Sequence, residues 1–258
     1  LTGDLAGAIE VARMAAAASG SHDASAWINT RLAVLERQAG EDERALRSID
    51  TALRSRADYP PALLVKGLVA LSKGAHRSAL GTLQKAASIN PLPEYQWALM
   101  ETYLELDDAT AAASLNQRML ERGAVDDART YALYLASTGQ RVDEALAHAR
   151  VELEIRRDTF TLDTLAWAYA ANGDMERAHE LSTLAVGKGI QDARVFYHAG
   201  VIASALGKHS GARRWLADAM AIRQMLLPSE RRHLREEFAA LESQISRLDA
   251  EKAGTPGV

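Results

Sequence analysis

The sequence has no cysteine, which excludes disulfides, zinc–thiolate sites and thiol nucleophiles. That absence fits a reducing and an oxidising compartment equally well, so localisation stays open. Only six prolines and 5% aromatic residues are present, a shortage that favours helix over sheet. Basic excess is missing too: 30 Lys and Arg stand against 34 Asp and Glu, a net charge of -4. Phosphate-backbone binding needs a basic footprint, so nucleic acid is excluded as a partner. The longest weakly polar run, 195–207, contains His198 and falls short of the roughly 20 apolar residues of a membrane span. A starting methionine and a basic-then-apolar leader are also lacking, which reads as a fragment or processed form.

What is present is 258 residues, 48% hydrophobic and 25% charged, enough for a sizeable core in a globular protein. Ala, Leu, Glu and Arg lose little rotamer freedom in helices, which points to an all-α chain. Seven segments, among them GEDERALRSIDTAL, GDMERAHELSTLAV and GKHSGARRWLADAM, align on one alanine. Those alanines are Ala8, Ala45, Ala79, Ala112, Ala145, Ala178 and Ala212, at intervals of 37, 34, 33, 33, 33 and 34 residues. Upstream of each turn glycine from Gly40 onward lies a second amphipathic stretch, so each unit reads helix, turn, helix. Asp107 replaces the glycine once, and Asp tolerates the same left-handed backbone.

Seven residues before the turn stand Ala33, Gly67, Met100, Ala132, Ala166 and Gly200, all small except Met100. Ala52, Ala86, Met119, Ala185 and Ala219 recur twelve after it. Small side chains there let two helices approach closely. On these residues the chain resembles the tetratricopeptide repeats, helical hairpins of roughly 34 residues. A weaker resemblance, through PLPEY, DTLAWA and YHAGVI, is to bacterial multi-repeat proteins, and it implies no particular activity. The family resemblance implies a right-handed superhelical solenoid over residues 1–222. Its parts are a half-repeat at 1–20 and repeats at about 26–59, 60–92, 93–124, 125–158, 159–192 and 193–222. The half-repeat would be the second helix of a hairpin whose partner lies upstream of Leu1. An added residue between Gly139 and Ala145 predicts a distorted turn, and polar Asn29 and Glu36 weaken the first full unit. The stripe Leu234, Phe238, Leu241, Ile245 and Leu248 predicts a capping helix over 228–250, with Ser229 as N-cap, covering the last repeat. Residues 251–258 are expected to be a disordered tail.

Candidate chemistry is sparse. Gly207-Lys208-His209-Ser210-Gly211 has neither P-loop nor nucleophile-elbow spacing and reads as the turn between two helices. The seven histidines are scattered; Glu176 and His179 form a Glu-x-x-His pair without the further carboxylates a metal site needs. Asp107-Asp108 and Asp126-Asp127 suit helix termini. No catalytic residue, metal or cofactor is assigned.

The resemblance further implies that one face of each first helix lines a concave groove. That face carries Trp27, Leu64, Leu68, Trp97, Glu101, Arg129, Leu133, Asp163, Trp167, Tyr197 and Val201, with His198 adjacent. Tryptophans there serve either as binding anchors or as core between hairpins; Trp97 and Trp167 are assigned to the groove, so that replacing either would spare stability. The expected function is a non-enzymatic scaffold that binds a peptide or helical segment of a partner protein through apolar anchors. The alternatives are a recruiting segment of a larger enzyme and self-association through the repeat ends.

Overall fold

The computed structural model describes residues 3–254. Among them are fourteen α-helices, one 3₁₀ turn and no strand. Helix α1 (Leu5–Ala17) stands alone, followed by six hairpins: α2 (His22–Gln38) with α3 (Asp42–Ser55), α4 (Pro60–Ser72) with α5 (His76–Ile89), and α6 (Pro93–Leu104) with α7 (Ala109–Asp126). The other three are α8 (Ala128–Thr138) with α9 (Val142–Ile155), α10 (Thr159–Ala171) with α11 (Met175–Gly187), and α12 (Ala193–Ala205) with α13 (His209–Ala221). A 3₁₀ turn (Arg223–Met225) then leads into α14 (Pro228–Gly254). Hairpins stack in chain order, and the first helices α2, α4, α6, α8, α10 and α12 form a continuous inner layer.

The seven clock alanines are all buried, five of them with no exposed surface. The reason is close approach. A Cβ added at Gly200 would sit 2.6 Å from Leu216 Cγ and 3.0 Å from the Leu216 backbone nitrogen. Gly211, on the facing helix, has nothing within 4 Å of such an atom. Overpacking costs about 1–3 kcal/mol, against a gain of about 1 kcal/mol from replacing a helical glycine. Gly200→Ala is therefore expected to lower stability in urea melts while Gly211→Ala raises it. Equal effects at both positions would mean that α12 and α13 do not meet as described.

The turns behave as their residues dictate. Gly40, Gly74, Gly139, Gly173 and Gly207 have positive φ, and Asp107 adopts φ 59° in the same place. The residue added after Gly139 is absorbed by Arg141, at φ 44° immediately before α9. Asp108, Asp127, Asp158, Asp174 and Asp192 accept backbone N–H groups at the starts of α7, α8, α10, α11 and α12. The polar residues of the first full hairpin are buried and partnered: Glu36 accepts from Ser48 Oγ at 2.7 Å and from Arg13 at 3.1 Å, and Asn29 donates to the Ser25 carbonyl.

Helix α14 packs on α12 and α13, with Leu234, Phe238, Leu241 and Ile245 joining the cluster around Leu216 and Ala219. It differs from expectation in three ways. It continues to Gly254, beyond the expected end at 250, so the described part of the 251–258 segment is helical; residues 255–258 lie outside the described residues. Pro228 already belongs to the helix, and Ser229 sits inside the first turn. Third, the segment entering α14 reaches far beyond the last repeat. The 3₁₀ turn touches α2 and α4, because its polar and apolar groups find partners on the inner layer.

Candidate functional site

The inner layer forms a concave wall, and the stretch from Gln224 to Arg232 runs across it as a strut. Gln224 donates to the carbonyls of Arg37 and Gln38, while Arg37 donates to the Gln224 carbonyl. Leu227 is buried in the central cluster with Leu64, Trp97 and Leu133. Ser229 donates to Glu101 through its hydroxyl at 2.6 Å and its N–H at 3.0 Å. Glu230, 5% exposed, receives Arg194 Nη2 at 3.0 Å and the Leu227 N–H at 2.8 Å. Arg231 donates to the Leu71 and Ser72 carbonyls at the end of α4, where the helix leaves acceptors unpaired.

The strut divides the concave face into two cavities. The first, about 420 Å³, is lined by Leu64, Leu68, Trp97, Arg129, Leu133 and Asp163 of the expected wall, together with Arg31, Glu94, Asp127, Phe160 and Asp192. The second, about 480 Å³, lies on the other side of Ser229 and Glu230 and is lined by Trp97, Glu101, Trp167 and Tyr197. Nine of the twelve expected residues thus meet one cavity or the other. Trp27 is 56% exposed and lies outside both. Val201 packs partly buried against the last cluster. His198 has no exposed surface: its Nδ1 lies 2.9 Å from Asp163 Oδ2, and its ring stacks on Trp167 at 4.1 Å between centroids.

Burial corrects the assignment of several of these residues as free contact groups. Trp97 is 3% exposed, edge-on to Tyr134 and under the Arg194 guanidinium at 5.3 Å. Tyr197, Glu101 and Asp163 are buried as well. The strut accounts for part of this, since Ser229 covers Glu101 and Leu227 joins the cluster of Trp97, while His198 of α12 encloses Asp163. Trp167 stays partly buried and donates Nε1–H to Ser137 Oγ at 3.1 Å. Sequence reading missed Phe160, 45% exposed, and Glu94, although each stands thirteen residues before its turn residue in the same register as Trp27; it also missed Asp192, which caps the start of α12 outside that register.

The electrostatics are those of an enclosed cleft. Burial raises the carboxyl of Glu94, which nevertheless reaches solvent inside the first cavity, and likewise raises Asp192 despite two backbone N–H bonds. Glu101 is pushed up by burial against the opposing pull of Ser229. Burial lowers Arg37 to about 10. Burial opposes ionised Glu230 as well, but the Arg194 pair outweighs it and holds the carboxyl below its usual range. Among the described residues no group of three or more His, Asp and Glu is placed to hold a metal ion, and no helix is long and apolar enough to cross a membrane. Gly207 and Lys208 form the turn into α13, as their repeat position implies.

No family model and no curated protein matches the chain. Solved structures do. A tetratricopeptide repeat protein from Parabacteroides merdae ATCC 43184 is similar at 20% identity, with 93% of each chain covered and a TM-score of 0.50. The Cut9–Hcn1 hetero-tetramer of the APC/C is similar at 12% identity, covering 93% of this chain and 46% of that one, with a TM-score of 0.50. PilW, a type IV pilus biogenesis factor, follows at 20% identity, 76% of this chain, 92% of that chain and a TM-score of 0.44. Six hairpins stacked in chain order, their close contacts set by a recurring alanine, give this chain the tetratricopeptide-repeat fold.

Proposed function

We propose that the protein is a non-enzymatic interaction scaffold that binds a short segment of a partner protein in the first cavity. The observation that carries this reading is the cavity itself. It is a solvent-connected recess of about 420 Å³ in which Leu64, Leu68, Leu133 and Phe160 offer apolar surface among the charged side chains of Arg31, Arg129, Glu94 and Asp127. Its walls are fixed helices, so little ordering cost falls on the scaffold when a segment enters. The volume suits one or two apolar side chains with a charged neighbour, not a long helix laid along the whole groove, because the strut already bridges that surface.

Affinity capture with the intact chain, compared with a Leu68→Glu/Phe160→Ala double variant, tests the assignment. Both residues are incompletely buried, so the variant is expected to keep its helical circular dichroism. Loss of apolar anchors in a binding recess costs upward of about 2 kcal/mol, so capture of the partner is expected to weaken by more than about tenfold. Undiminished capture by a folded double variant would place the partner elsewhere.

A further inference from the structure

A third recess lies where the strut enters α14, between the end of α4, the start of α5 and the end of α6. It measures about 390 Å³, and Arg223, Arg231, Arg232, Arg235, His76 and Glu105 contribute its charged lining. Four guanidinium groups therefore face one carboxylate. Glu105 is already engaged, by Arg232 at 3.0 Å and His76 Nε2 at 3.7 Å. Arg231 is pinned by the Leu71 and Ser72 carbonyls, which hold it in place without neutralising it. Among the described residues, the Arg223 side chain bonds only the Met220 carbonyl, and the Arg235 side chain has neither an ion pair nor a hydrogen bond. Burial, followed among the like charges by Arg235 and Arg223, lowers the Arg231 guanidinium even though Glu105 opposes it. A chain that bears a net charge of -4 overall thus gathers three unpaired guanidinium groups around one polar recess.

We propose that this recess binds a phosphate dianion, presented by a phosphorylated side chain, with Arg223, Arg231 and Arg235 as its ligands. A single carboxylate would neutralise one of the three groups. A phosphomonoester carries about -1.5 to -2 charge at neutral pH and three acceptor oxygens, and guanidinium forks match its geometry. The site lies apart from the apolar first cavity and does not depend on the function assigned to that cavity.

Titration calorimetry on the full chain tests this, using inorganic phosphate, a phosphoserine peptide and the same peptide unphosphorylated. Both phosphate-bearing probes are expected to bind and the unphosphorylated peptide not to. Arg223→Ala and Arg235→Ala are each expected to weaken binding about tenfold, the worth of one charge-assisted hydrogen bond. Their melting temperatures should match the parent's, because both side chains are exposed. Tighter binding of the phosphopeptide than of inorganic phosphate identifies a modified partner as the source; equal affinity identifies the free anion. No heat with either phosphate-bearing probe, equal binding of the unphosphorylated peptide, or unchanged affinity in both variants would overturn the site.

Discussion

Replacing Trp97 with alanine is expected to destabilise the protein by about 4 kcal/mol, the range for removing a large aromatic side chain from a packed core. The indole is 3% exposed. It loses the edge contact with Tyr134 at 5.4 Å and the Arg194 guanidinium at 5.3 Å, and it leaves Leu227 facing a void in the central cluster. Urea melts followed by circular dichroism measure the loss, with Trp27→Ala as the control. Trp27 is 56% exposed and is expected to change stability by no more than about 0.5 kcal/mol. Comparable midpoints for the two variants would show that Trp97 faces solvent, as its repeat position alone suggests.

That contrast marks where the sequence stops being informative. The alanine spacing and the turn residues are local signals, each fixed by what one hairpin needs. Ala45, Ala79 and Ala212 are buried because two helices meet there, and Asp107 takes a positive φ because the turn demands it. The concave wall follows from the repeat register, since the family resemblance implies that Leu64, Leu68 and Leu133 face one groove, and all three line the first cavity. What lies against that wall is not local. Glu101 and Ser229 are 128 residues apart and Arg37 and Gln224 are 187 apart, and no repeat register links such pairs. Leu234, Phe238, Leu241 and Ile245 of the expected α14 stripe join the cluster of the last repeat and Leu248 does not, but the first turn of α14 also had to satisfy Glu101 and Arg194. Those two residues lie on the inner layer, buried or part-buried, and a charged group enclosed there is costly unless partnered.

Glu230→Ala is expected to cost about 3 kcal/mol, because it removes one side of an enclosed ion pair and leaves the other behind. Arg194 would lose both carboxylate oxygens, and the Leu227 N–H, 2.8 Å from Oε2, would lose its acceptor at the start of α14. The cost stays near the lower end for a buried pair, since the Arg194 side chain is 30% exposed and Asp192 remains nearby. Acidity supplies the discriminating measurement. The folded carboxyl is held below its ordinary value, so its contribution is fully present above the unfolded value of about 4.3 and disappears as pH falls through the folded value. The stability gap between parent and Glu230→Ala should therefore be constant from pH 7 to pH 5 and shrink on further acidification. Glu230→Gln keeps the shape and one acceptor for the Leu227 N–H, so a gap for this variant that closes in the same pH range would assign the effect to the charge. A gap independent of pH in both variants would mean that the charge of Glu230 contributes nothing to the strut's place in the groove, which would then rest on uncharged contacts such as buried Leu227 and the Gln224 hydrogen bonds.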